Sequence, residues 1–185
     1  MPRLFAALLF AAATLAAQTN GSPERYTATA MDQNRGAAGI IEIAVERWST
    51  DAERDRLMKV LIDKGPEKLL DALQDVKRVG YIRTPDSIGW DLRFARRTPG
   101  EDGGERVVLV TDRRIGFWEA VYRPRTIDYP FTFVEMHLNR DGEGDGKLSL
   151  ATKIIPDKEH NTVTLENYDT QPVMLTQVRR ERSSR

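Results

Sequence analysis

The sequence predicts an α+β domain: a mostly antiparallel sheet of about nine strands, open or curled toward a barrel, with a two-helix insertion after the first strand. Three observations predict it. After residue 79 the chain alternates apolar and polar residues in short runs separated by Gly, Pro, Asn and Asp, the pattern of strands joined by turns. Between Thr50 and Val76 the apolar residues recur every three or four positions instead, which is a helical period. The connections after that point are too short to hold crossover helices, so neighbouring strands run antiparallel.

The chain opens with one positive charge at Arg3, an apolar run from Leu4 to Ala17 and small residues at its end. That is the layout of a secretory signal peptide over residues 1–17, cleaved near Ala16 or Ala17 and too short to span a membrane stably. No later apolar run reaches membrane length, so no span is expected after cleavage, and export to a periplasmic or extracellular compartment follows. From Gln18 to Gly39, Thr, Ala, Gly, Asn, Ser and charges predominate, which reads as a flexible linker. Asn20-Gly21-Ser22 within it fits a glycosylation acceptor triplet.

A single domain is expected over 40–178, followed by a basic tail over 179–185. Ile41, Ile43 and Val45 alternate with Glu42, Ala44 and Glu46 in the first strand. Thr50 and Glu53 then stand at capping-box spacing and start a helix with the stripe Leu57, Val60 and Leu61. Lys64-Gly65 stops it, and Pro66 opens a second helix carrying Leu69, Leu70, Leu73 and Val76. The predicted strands that follow are 79–83, 90–95, 107–111, 116–122, 131–138, 148–155, 163–167 and 173–178. Trp90, Leu92 and Phe94, then Val134, Met136 and Leu138, then Leu148, Leu150 and Ile154 are expected on one apolar face. Asp91, Arg93 and Arg97, with Glu135, His137, Lys147, Lys153, Thr164 and Glu166, are expected on the opposite, wet face.

Composition excludes several chemistries. With 28 basic and 28 acidic residues, the chain loses only Arg3 with the signal and keeps a formal net charge of −1, which lacks the basic excess that nucleic-acid binding requires. There is no cysteine, so disulfides and thiolate chemistry are absent and stability rests on an apolar core of one domain of about 150 residues. Two separated histidines provide no zinc-ligand spacing, and no Gly-x-Ser-x-Gly elbow occurs. No cofactor is expected.

Three constellations remain as candidates. Glu135 and His137, two apart on one strand, form a usable acid and base pair, with Asp128 as a third carboxylate for a hydrolase. Asp141, Glu143 and Asp145 alternate with glycines, as in the first half of a calcium loop, although Thr152 stands where the bidentate Glu belongs and the same residues suit a hairpin turn. The aromatic-rich segment 115–138 holds Arg123, Arg125 and Tyr129 between two strands. Together with Arg83 and Trp90 these would make a site with aromatic walls and guanidinium handles, suited to an anionic or amphiphilic small ligand.

Gly116-Phe117-Trp118 resembles the Gly-x-Trp motif of lipocalins, but it lies mid-chain after the helices rather than on the first strand, and no lipocalin function is carried over. A broader likeness covers most of the mature chain. The segments Glu46-Arg47-Trp48-Ser49, Val79 to Pro85, Ile127-Asp128-Tyr129-Pro130-Phe131 and Lys147 to Lys153 resemble parts of exported bacterial proteins of no assigned function. This implies a bacterial, exported, single-domain protein and no particular activity. The residue stock favours a non-catalytic binding or interaction module over the two alternatives, a hydrolase using Glu135 and His137 and a calcium-stabilised structural module.

Overall fold

The computed structural model describes residues 23–33, 36–100, 103–113, 115, 132–150, 152–157, 162–167 and 172–181, the two strands at 152–157 and 162–167 by their backbone. Ten strands and two helices are present among them: β1 (Glu24–Asp32), β2 (Ala37–Val45), α1 (Asp51–Lys64), α2 (Pro66–Gln74), β3 (Gly80–Arg83), β4 (Trp90–Pro99), β5 (Glu105–Thr111), β6 (Thr132–Leu138), β7 (Glu143–Leu150), β8 (Thr152–Asp157), β9 (Thr162–Asn167) and β10 (Val173–Arg180). Strands β1 to β7 follow one another around a closed antiparallel barrel, and β10 closes it between β7 and β1. Strands β8 and β9 pair only with each other.

The sheet is therefore antiparallel with two helices, as expected, but it is an eight-stranded closed barrel with a separate two-stranded ribbon, not an open sheet of nine. Closure depends on β1, which lies inside the segment whose composition reads as linker. Its inward residues are Tyr26, Ala28 and Ala30, all buried. Two of the three are alanines, so the two-residue period that marks a strand carries little hydrophobic contrast there. The helices accordingly follow the second strand rather than the first. The expected strand 148–155 is likewise two elements, because β7 begins at Glu143 and ends at Leu150. The expected strand 116–122, Trp118 within it, and the signal segment 1–17 lie outside the described residues.

An eight-stranded barrel has an interior just wide enough for side chains to fill. Here Ile41, Ile43, Ile82, Leu92, Leu109, Val134, Met136, Leu148 and Leu175 fill it, each almost fully buried. Close strand approach requires glycine where a Cβ would run into a facing backbone carbonyl, as at Gly80 against Ala44 and at Gly144 against His137.

A second core lies outside the barrel wall. Leu57 and Leu61 of α1 and Leu69, Ala72 and Leu73 of α2 pack on Val110 and Phe133, with Phe94 and Val108 at the margin. The helices thus cover the outer face of β4, β5 and β6, whose strands are apolar on both sides. Thr50 caps α1 in a reciprocal box with Glu53, and Gly65, at φ 85°, turns the chain into Pro66 of α2. Arg96 of β4 donates to Asp51 at 2.7 Å and fixes the start of α1 to the wall. Among the described residues no helix is long and apolar enough to cross a membrane.

Candidate functional site

The densest chemistry among the described residues lies at the barrel mouth where β1 starts and β10 ends. Strict alternation would place Arg97 and Arg180 outside, because Leu92 on β4 and Leu175 on β10 face inward. Two bulges overturn that. The β4–β5 register slips between Leu92 and Phe94, so Ala95 and Arg97 turn inward and Phe94 turns out to the helices. The β10 register slips between Leu175 and Val178 against β7, so Val178 and Arg180 turn inward. Gln177 in that second bulge adopts φ 53°, a conformation L-residues other than Asn and Asp rarely take. Bulges at barrel rims commonly re-aim a side chain, and both of these re-aim an arginine into the same mouth.

There the arginines meet two carboxylates. Arg97 Nη1 donates to Glu24 Oε1 at 2.9 Å and Oε2 at 3.2 Å, while its guanidinium lies 4.9 Å from the centre of the Trp48 ring. Trp48 Nε1 reaches the same Glu24 at 3.4 Å, and the buried Tyr26 hydroxyl donates to it at 3.0 Å. Burial, then the charge of Glu24 and this hydrogen bond, push the Tyr26 phenol far above its ordinary range, so it stays a neutral donor. Arg180 Nη2 pairs with Glu105, whose other oxygen lies 3.8 Å from Arg97 Nε, beyond hydrogen-bond reach. Arg180 Nε is buried without a hydrogen-bond partner.

The acid and base pair of the sequence sits elsewhere, on the outer wall. Glu135 accepts from Arg106 at 2.6 Å, from Lys147 at 2.9 Å and contacts His137 Nε2 at 3.2 Å. Burial alone would raise its carboxyl, but the hydrogen bonds from Lys147 and Arg106 outweigh this and hold it below the usual range. A carboxylate so held is a poor proton acceptor near neutrality. Asp128 lies outside the described residues.

Arg83 and Trp90 do not share a site. Trp90 faces the barrel interior opposite Ile82, whereas Arg83, one residue on, leaves the outer face, donates to Glu42 at 2.7 Å and stacks 5.5 Å from the Tyr81 ring. Arg123, Arg125 and Tyr129 lie outside the described residues. Asp141 lies in the β6–β7 turn, where the Asn139 side chain accepts from the amides of Asp141 and Glu143, and Glu143 and Asp145 belong to β7 opposite Arg179 and His137. Among the described residues no three His, Cys, Asp or Glu side chains converge as a metal would require.

The mouth residues Glu24, Tyr26, Trp48, Arg97, Glu105 and Arg180 escape sequence reasoning. Glu24 and Tyr26 fall in the apparent linker, Arg97 falls in phase with the outer face, and Arg180 falls in the apparent basic tail. Glu105, beginning the run Glu105 to Thr111 in phase with Val107 and Leu109, is the single member whose inward side the alternation reveals. No protein-family profile, curated protein or solved structure matches the chain.

Proposed function

We propose that this chain is an exported, non-catalytic binding domain that takes an anionic or amphiphilic small molecule at the mouth formed by Trp48, Arg97, Glu105 and Arg180. The observation that supports it is the pair of register slips that bring two arginines inward to one aromatic-lined rim. Buried charge at the end of an otherwise apolar interior is unfavourable, and a paired set replaced by apolar residues is often neutral or stabilising. A recognition role gives the arginines a reason to be there.

The hydrolase alternative draws no support from Glu135, which is tied into ion pairs on the outer wall. A thermal-shift series with amphiphilic anions and their neutral analogues tests the binding reading. Anions are expected to raise the melting temperature of the wild type and to leave Arg97→Ala/Arg180→Ala unmoved. Equal shifts in both proteins, or none in either, would overturn it.

A further inference from the structure

Resting on that reading, we infer that Glu105 is a built-in competitor for the ligand and that the ligand is an amphiphilic monocarboxylate. The seat between Arg97 and Arg180 already holds a carboxylate, that of Glu105. Two guanidiniums face it from β4 and β10, that of Arg180 in hydrogen-bond contact, and in both cases a bulge puts them there. The seat is imperfectly filled by its own chain. Arg97 Nε stands 3.8 Å from the Glu105 oxygen, too far to donate, and Arg180 Nε is buried without an acceptor. Buried polar groups are nearly always paired, so the Arg180 Nε–H, buried without an acceptor, marks a site where the internal partner is not the best one.

Glu105 is also placed to leave. It is the first residue of β5, at the rim, directly after Gly103-Gly104, and its side chain keeps some exposure, so little of the chain lies between its carboxylate and water. A free carboxylate is not confined by a strand and can turn one oxygen to each guanidinium in charge-assisted hydrogen bonds, whereas Glu105 bonds to Arg180 and leaves Arg97 Nε at 3.8 Å. The ring of Trp48, half-buried with Arg97 stacked on it, gives the apolar part of such a ligand a surface beside the charged seat. Glu24 differs from Glu105 in this respect. It holds hydrogen bonds from Arg97, Tyr26 and Trp48 at once, so it positions Arg97 rather than yielding to a competitor.

The test uses the full domain, octanoate as probe and octanol as its neutral counterpart, with affinity read by titration calorimetry. Glu105→Gln is expected to bind octanoate at least about tenfold more tightly than the wild type, because removal of a competing charge-assisted bond is worth about that much. Octanol affinity should not change, and Arg97→Gln added to Glu105→Gln should abolish the gain. Unchanged or weakened octanoate binding in Glu105→Gln overturns the proposal. Octanoate binding that is indifferent to Glu105→Gln and to Arg97→Gln overturns it while leaving a binding domain with another site. Failure of octanoate, octyl phosphate and octyl sulfate to bind any of the proteins removes both readings. If Glu105→Gln does not fold, Glu105→Asp carries the same test, since its shorter arm withdraws the competing carboxylate from Arg180.

Discussion

Arg180, the last residue of β10, pairs with Glu105, the first residue of β5, across the mouth of the barrel; their strands are separated around the wall by β7 and β6. The link therefore ties the closing strand to the far side of the sheet. Arg97 and Glu24 make the matching link from β4 to β1. Together they brace the end at which the barrel opens to solvent.

Removing one partner should cost more than removing both. Arg180→Leu leaves the Glu105 carboxylate inward without its main counter-charge and is expected to destabilise the domain by about 2–3 kcal/mol, below the fully buried range because both groups keep some exposure. Arg180→Leu/Glu105→Leu should recover at least half of that. Urea unfolding of the two single variants and the double variant measures the coupling, and strictly additive losses would show that the pair contributes nothing.

Gln177 carries the backbone cost of the second bulge. Gln177→Gly removes the Cβ that disfavours φ 53° and should stabilise by about 0.5–1 kcal/mol, whereas the β-branched Gln177→Val should lose more than about 1 kcal/mol. Deleting Gln177 is a different experiment. It removes the one extra residue of the bulge, so strict alternation from inward Leu175 runs Thr176 out, Val178 in, Arg179 out and Arg180 in, and the coupling between Arg180 and Glu105 should survive in the previous cycle; its loss would show that the bulge itself, and not the facing of Arg180, makes the pair.

Glu135 predicts part of the acid limb of stability. Its carboxyl is held below the ordinary range in the fold, so its contribution is fully present above the unfolded glutamate value of about 4.3 and is lost as pH falls through the lower folded value. Unfolding free energies of wild type and Glu135→Gln should differ at pH 7 and converge in strong acid. Glu53, lowered first by its hydrogen bonds from Arg47, should behave in the same direction, so Glu53→Gln in the same series should also narrow the gap between neutral and acid. A difference that stays constant down to pH 2 would show that neither charge is the cause.

Gly80→Ala places a methyl group against the Ala44 carbonyl, which is backbone and has no rotamer with which to yield. The expected loss is about 3 kcal/mol or more. Gly39→Ala, in the neighbouring strand β2 with open space around its Cβ, should change stability by less than about 1 kcal/mol. Thermal unfolding of the two variants provides the comparison.

What the sequence determined by itself is local. The capping box at Thr50 and Glu53, the stop at Gly65-Pro66, and the alternation in Val134-Glu135-Met136-His137-Leu138 each depend on residues within a few positions of one another, and each reappears in the fold at its predicted place. The α+β class and the antiparallel pairing follow from those elements and from the short turns between them. The tertiary structure decided closure, the count of layers and the site. Closure came from β1, two of whose three inward residues are the small Ala28 and Ala30, so it carries little apolar signal. Phe94 faced the helices and Arg97 the interior because a bulge added one residue between Leu92 and Phe94, and a one-residue slip exchanges the two faces of every position beyond it. Arg180 left the solvated tail for the mouth by the same step on β10. A strand's period is exposed in its own sequence, but its phase is set by the partner it pairs with, and phase is what gathered Glu24, Arg97, Glu105 and Arg180 from four strands into one mouth.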